Sequence, residues 1–164
     1  MERPVYHYQY IPARYEDVLA LLQDRAAVVL QPATATATDR AREVVSTLHV
    51  QLGRFEVGRE VHVELGDLAT EPHRRARLPL SWRAEHGATF FPSVEAKLEI
   101  AALSDKPPTT QIWLVGSYTP PLGVAGGVAN DALGHRVAEA AVHRFVVDAV
   151  ERIREELGSA SGAE

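Results

Sequence analysis

Residues 130–157 read NDALGHRVAEAAVHRFVVDAVERIREEL, and this stretch decides the fold. Ala138, Val142, Phe145, Ala149, Ile153 and Leu157 recur at steps of three and four, and Val146 and Val150 widen the stripe. Arg136, Glu139, Arg144, Asp148, Glu151 and Glu155 fill the other side. This is the period of an amphipathic helix. At 1.5 Å per residue it is about 42 Å long, enough to cross a whole domain. An apolar stripe of that length needs a broad apolar surface to lie on, and the preceding chain supplies one.

Working back from the helix, the period changes from 3.6 to two. Ile112, Leu114, Gly116 and Tyr118 alternate with Trp113 and Val115. Val94, Ala96, Leu98 and Ile100 alternate with Glu95, Lys97 and Glu99, the pattern of a half-buried strand. Ala76, Leu78, Leu80, Trp82 and Ala84 form a third set, in which Pro79 predicts a bulge or a local edge. Val61, Val63 and Leu65 alternate with Glu60, His62 and Glu64. Leu48, Val50 and Leu52 read as a further strand, which would pair with them as a hairpin: Val50 opposite Val61, Leu48 opposite Val63 and His49 opposite His62.

At the start, residues 3–11 place Tyr6, Tyr8 and Tyr10 on one face and Val5, His7, Gln9 and Ile11 on the other. Pro12 ends that strand. Residues 14–22 then follow helical spacing, with Glu16 and Asp17 where the helix dipole favours acids. A second short helix is predicted over about 25–30, before Pro32. Residues 33–38, Ala-Thr-Ala-Thr-Ala-Thr, are predicted as a loop.

A strand run closed by one helix means α+β rather than alternating α/β. The expectation is a curved antiparallel sheet of six to seven strands wrapped around the long C-terminal helix, with two short helices after the first strand. One domain spans 1–157, and the small polar stretch 158–164 reads as a flexible tail. The chain has 164 residues and 46% hydrophobic content, enough for one core. It has no cysteine, which removes disulfides, thiolate catalysis and Cys-ligated metals. The net charge of −5, with 15 of its 17 basic residues being scattered arginines, argues against nucleic acid. No h-region opens the chain, and no apolar run reaches the roughly 18 residues of a membrane span. A cytoplasmic protein is expected.

Three features carry a family resemblance. One is Ile11-Pro-Ala-Arg-Tyr-Glu-Asp-Val-Leu-Ala-Leu-Leu22, similar to a strand–Pro–helix start. Another is Leu114-Val-Gly-Ser-Tyr-Thr-Pro-Pro-Leu-Gly123 with Gly126-Gly127, which looks like a strand-to-helix junction. The third is the terminal helix. Together they resemble the START-like (SRPBCC, Bet v 1-like, helix-grip) superfamily, and in particular its bacterial polyketide cyclase/dehydrase-type members. The resemblance covers residues 3–157. It implies a cavity between the concave sheet face and the helix, used in the family for lipids, hormones, polyketides and other apolar ligands.

Chemical signatures are sparse. His49 and His62 would face each other, with Glu60 and Glu64 nearby, but two histidines are an incomplete metal site and a solvated outer face is the leading reading. His62-Val-Glu64 matches half of a zinc deaminase motif whose Cys-x-x-Cys is missing. His135 and His143 lie two turns apart on the terminal helix and read as its exposed face. Gly123–Gly127 lacks the Lys-Ser/Thr of a phosphate loop, and no Gly-x-Ser-x-Gly elbow exists. No metal, cofactor or catalytic residue is assigned.

The inward faces point to ligand contact instead. Leu80, Trp82, Leu98, Leu114, Gly116, Tyr118, Val142, Phe145 and Ala149 are the expected site, with small residues such as Ala96 and Gly116 leaving volume and Tyr118 orienting a ligand. The expected partner is a small hydrophobic or amphipathic molecule, and a homodimer is compatible with the sequence. A cyclase/aromatase-like enzyme using the same cavity is the alternative. It needs an inward-facing acid–base group, for which His7 is the main candidate. A scaffold with a filled core is the third reading.

Overall fold

Alternating β-branched and aromatic residues form the first strand, β1 (Arg3–Ile11), and Pro12 ends it. The computed structural model describes residues 3–48, 61–84, 93–119 and 128–162. Helix α1 (Tyr15–Leu48) follows, then strands β2 (Val61–Leu65), β3 (Ala69–Glu71), β4 (Arg75–Ala84), β5 (Ser93–Asp105) and β6 (Pro108–Thr119), and last helix α2 (Val128–Ser161). The strands form a six-stranded sheet in the order β1-β6-β5-β4-β2, with β3 also on β4. Every pairing is antiparallel. The α+β architecture, the open sheet and the long terminal helix are those expected.

The inner face carries the residues that the alternation selected. Ala76, Leu78, Leu80 and Trp82 of β4, Val94, Ala96, Leu98 and Ile100 of β5, and Ile112, Leu114 and Tyr118 of β6 are all buried. From α2, Val137, Ala138, Ala141, Val142, Phe145, Val146, Ala149, Val150 and Ile153 join them in one core. Helix α2 runs on to Ser161, into the stretch expected to be a tail. On the outer face of β1, Tyr6, Tyr8 and Tyr10 are exposed and touch in sequence, with ring centroids 6.0 and 5.6 Å apart.

Pro79 lies within β4, where it faces a break between two neighbours. Leu65 at the end of β2 pairs with Leu80, and Ala69 at the start of β3 pairs with Arg77. Gly66 N–H donates to Pro79 O at 2.8 Å across the gap. The N–H that proline lacks would point to the same side, where no ladder bond is needed.

The segment between β1 and β2 departs from expectation. The expected break between two helices falls at Arg25 (φ −138°, ψ 33°), where α1 is kinked, but the second part runs on through Pro32 to Leu48 and takes the place of the expected loop. The Ala-Thr repeat is helical. Ala33, Thr34, Ala37 and Thr38 are buried, while Ala35 is exposed. The threonine hydroxyls donate one turn back: Thr34 to Leu30 O at 2.8 Å, Thr36 to Pro32 O at 3.1 Å and Thr38 to Thr34 O at 2.8 Å. Back-bonding of this kind satisfies a buried hydroxyl without a tertiary partner. Helix α1 packs along α2, so two helices rather than one cover the sheet.

The expected hairpin is corrected with it. Leu48 ends a helix, and Val63 pairs with Trp82 rather than with Leu48. The strand predicted at 44–52 is therefore helical up to Leu48, and His49 and Val50 lie outside the described residues. His62 is opposite Arg83 of β4.

Asp148 was predicted on the polar side of α2 and is buried instead. Arg152 Nε donates to its Oδ2 at 2.6 Å, and Thr36 Oγ1 donates to the same atom at 3.3 Å. The packing of α1 on α2 buries that flank, and the two donors satisfy the carboxylate left there.

Candidate functional site

Cross-strand register brings one set of inner residues to a common level. Val63 pairs with Trp82, Trp82 with Val94, Val94 with Tyr118, and Tyr118 with Arg3. Trp82 and Tyr118 therefore stand on the same face two strands apart, about 10 Å at the usual strand spacing. Phe145 reaches this row from α2, and its ring meets the Trp82 indole edge-on, 4.8 Å between centroids. All three side chains are fully buried, at 0% exposure. Leu80, Leu98, Leu114, Val142 and Ala149 are buried around them.

Two polar groups stand out in this apolar setting. Trp82 Nε1–H is buried with no hydrogen-bond partner among the described residues. A buried donor left unsatisfied costs about 1–3 kcal/mol. Tyr118 Oη lies 3.2 Å from His135 Nδ1, and His135 Nε2 lies 2.9 Å from Glu139 Oε1. A carboxylate only accepts, so the imidazole hydrogen sits on Nε2 when bonded to Glu139. Nδ1 of the neutral ring is then the acceptor, and Tyr118 donates to it. The chain passes from a buried phenol, through an imidazole 40% exposed, to a carboxylate 59% exposed.

A second polar cluster lies where β1 meets α2. The His7 and His143 rings meet edge-on with centroids 4.4 Å apart. Gln9 Nε2 is 3.3 Å from His7 Nε2. Sequence reasoning placed His7 on the inner face, and there it is. His135 and His143 read as the exposed face of the helix; His143 is exposed and His135 is 40% exposed, and both also contact side chains of the sheet. An amphipathic stripe counts apolar positions alone, so it gave no signal for these flanking contacts.

Burial holds His7 below the ordinary imidazole value, and the neighbouring His143 adds to the effect. A histidine depressed in the fold takes up its proton later than in the unfolded chain. As pH falls from about 6.5 towards the lower folded value, the unfolded chain holds more protons. Stability is therefore expected to fall with pH in that window and to level off below it. Thermal melts from pH 8 to 5 should show a slope that flattens in His7→Phe. An equal slope in both proteins would remove His7 as its source.

Gly116 needs a different reading from the one expected. A Cβ built there would overlap Glu95 O and stand 2.6 Å from the Cα and Cβ of Ala96. Strands β5 and β6 approach too closely for a side chain. The missing side chain therefore permits tight strand contact.

Two surface concavities formed by the described residues do not include Trp82, Tyr118 or Phe145. One, of about 670 Å³, takes in Leu80, Ala96 and Gly116 but is otherwise lined by outward residues such as Ser81, Glu95 and Lys97. Another, of about 1000 Å³, lies between the start of α1 and the end of α2 and includes Arg14, Asp17, Arg25 and Glu156. Among the described residues no helix is long and apolar enough to cross a membrane.

No family model and no curated protein matches the chain. Solved structures do. A conserved protein from Geobacillus kaustophilus is 13% identical, with a TM-score of 0.53, over 94% of this chain and 95% of that one. The match runs along nearly the whole length of both chains. The chain has the helix-grip fold. Zhui aromatase/cyclase from a Streptomyces species is 17% identical over 99% of this chain and 98% of its own, with a TM-score of 0.45. Ara h 8.0201 is 11% identical over 97% and 99%, also with a TM-score of 0.45. In helix-grip terms, Trp82, Tyr118 and Phe145 stand between the concave sheet and the gripped helix, at the sheet level where β4 and β6 end.

Proposed function

We propose that this chain binds a small hydrophobic or amphipathic molecule between the concave sheet face and α2, at the end where Trp82, Tyr118, His135 and Phe145 meet. The observation that carries the reading is the buried Trp82 N–H, which has no acceptor among the described residues. An indole nitrogen can only donate. A ligand oxygen placed against it would recover the missing hydrogen bond, and Leu80, Leu98, Leu114, Val142 and Ala149 would cover apolar ligand surface. Specificity then follows from one or two polar anchors in an apolar setting, while affinity follows from buried area.

The test is binding of 1-anilinonaphthalene-8-sulfonate, which joins an apolar ring system to acceptor oxygens. Trp82→Phe keeps the ring and removes the donor. A net hydrogen bond of about 1 kcal/mol makes the expected loss roughly fivefold. Native mass spectrometry of freshly purified protein is expected to show a co-purifying small molecule. Unchanged probe affinity in both Trp82→Phe and Tyr118→Phe, with an intact circular dichroism spectrum, would remove these residues from the site.

The second reading is a cyclase- or aromatase-like enzyme in the same space. It requires an acid–base group on the inner side, and the hydrogen bond from Tyr118 to His135 is the observation in its favour.

A further inference from the structure

The chain Tyr118–His135–Glu139 has the form of a nucleophile–base–carboxylate triad, with a phenol in the first place. Its members come from two elements. Tyr118 is near the end of β6, and His135 and Glu139 are one turn apart on α2. The phenol is buried and the carboxylate reaches solvent. A hydrogen-bonded path thus connects the interior with the outside.

We propose that Tyr118 is the contact group for an acidic hydroxyl, phenolic or enolic, on the bound molecule, and that His135 and Glu139 draw off its proton. The inference rests on the binding reading above and names the ligand class within it: an apolar ring system carrying an ionisable O–H.

The proton count closes within these groups. The ligand hydroxyl donates to the Tyr118 oxygen. As the ligand O–H bond breaks, its proton joins the Tyr118 oxygen, and the phenol's own proton passes to His135 Nδ1. The products are a ligand oxyanion, a neutral Tyr118 and an imidazolium whose Nε2–H stays on the Glu139 carboxylate. No oxidant or second reactant is needed. Tyr118 touches the ligand. His135 and Glu139 act through it and are positioning residues.

The sign of the effect separates the relay from simple enclosure. Burying a phenol in apolar surroundings raises its pKa, because the oxyanion loses water. A relay that ends in an imidazolium–carboxylate pair lowers it.

The probe is 2-naphthol, whose neutral and ionised forms have distinct absorption and emission. The control is 2-methoxynaphthalene, which has nearly the same shape and no ionisable proton. In the wild-type chain, bound 2-naphthol is expected to titrate about one pH unit or more below its value in water, the scale of a nearby opposite charge. Tyr118→Phe and His135→Phe should abolish that lowering. Glu139→Gln, at an exposed position, should reduce it without disturbing the fold. The methoxy compound should bind wild type and Glu139→Gln within about twofold of each other.

If both probes bind and 2-naphthol titrates at the same pH in wild type and His135→Phe, the relay is overturned and the binding reading stands. If neither probe binds the wild-type chain, the binding reading falls and the relay with it.

Discussion

Replacing Gly116 with valine is expected to abolish the native sheet. Gly116 on β6 pairs with Ala96 on β5, and a Cβ there would overlap Glu95 O while sitting 2.6 Å from Ala96 Cα. The obstructing atoms are mostly backbone, so no side chain can rotate out of the way. Overpacking that side chains can relieve costs about 1–3 kcal/mol. Gly116→Ala, which must push two strands apart, should fall at or beyond the top of that range. Valine adds two further methyl groups, and a domain of ordinary stability has about 5–15 kcal/mol to lose. Urea denaturation of Gly116→Ala should show a loss of about 3 kcal/mol, and Gly116→Val should give no cooperative melt. If the alanine variant lay within about 0.5 kcal/mol of wild type, strands β5 and β6 would be further apart than described here.

Two substitutions at Trp82 should separate packing from polarity. Trp82→Ala removes a fully buried ring that meets Phe145 edge-on, and truncations of this kind cost about 3–5 kcal/mol. Trp82→Phe keeps an aromatic ring in place. It opens a smaller gap and also removes a buried N–H without a partner among the described residues, whose burial costs about 1–3 kcal/mol. The two changes in Trp82→Phe oppose each other, so its stability should stay within about 1 kcal/mol of wild type. Stability and ligand binding then move apart. Phenylalanine preserves the fold and weakens the anilinonaphthalene sulfonate probe, while alanine damages both. Equal destabilisation by Phe and Ala in denaturant titrations would show that the indole N–H is already satisfied in the folded chain.

Much of the sheet was legible because its faces differ in polarity. Strands β4, β5 and β6 alternate cleanly, and each turned the residues expected inward. The helix α2 was legible for the same reason at a different period. Helix α1 beyond Leu30 was not. Its Ala-Thr repeat has a period of two, and β-branched threonine signals a strand or a loop when it stands alone. Helical back-bonding of the hydroxyls and burial of small residues against α2 outweigh that local preference. Leu48 was drawn into a false hairpin because its alternation with Val50 and Leu52 looked complete, while the helix that claims it was hidden.

The candidate site was partly legible. Periodicity selected Trp82, Tyr118 and Phe145 one by one. It could not show that Trp82 and Tyr118 share a level, which depends on the register of β4, β5 and β6. Nor could it place His135 and His143 against the sheet, because the crossing of α2 over β1 and β6 is a tertiary quantity. The close approach of Glu95 O and Ala96 to Gly116 could not be read either, since strand separation has no signature in a single strand's sequence.

The low-complexity stretch of α1 also constrains how this chain can change length. Repeats of two residues are prone to gain or lose a unit. In an α-helix two residues turn the chain by about 200°. One extra Ala-Thr unit would therefore swing everything after it to nearly the opposite side. Thr36 would leave Asp148, and the buried positions Ala37 and Thr38 would go to residues of another phase. Two added units would overshoot by about 40°, a much milder misfit, at the expense of about one more turn of helix. Tolerated length variants are therefore expected to differ by four residues and not by two, so a tract that looks interchangeable in composition is fixed in count by the helix lying beside it.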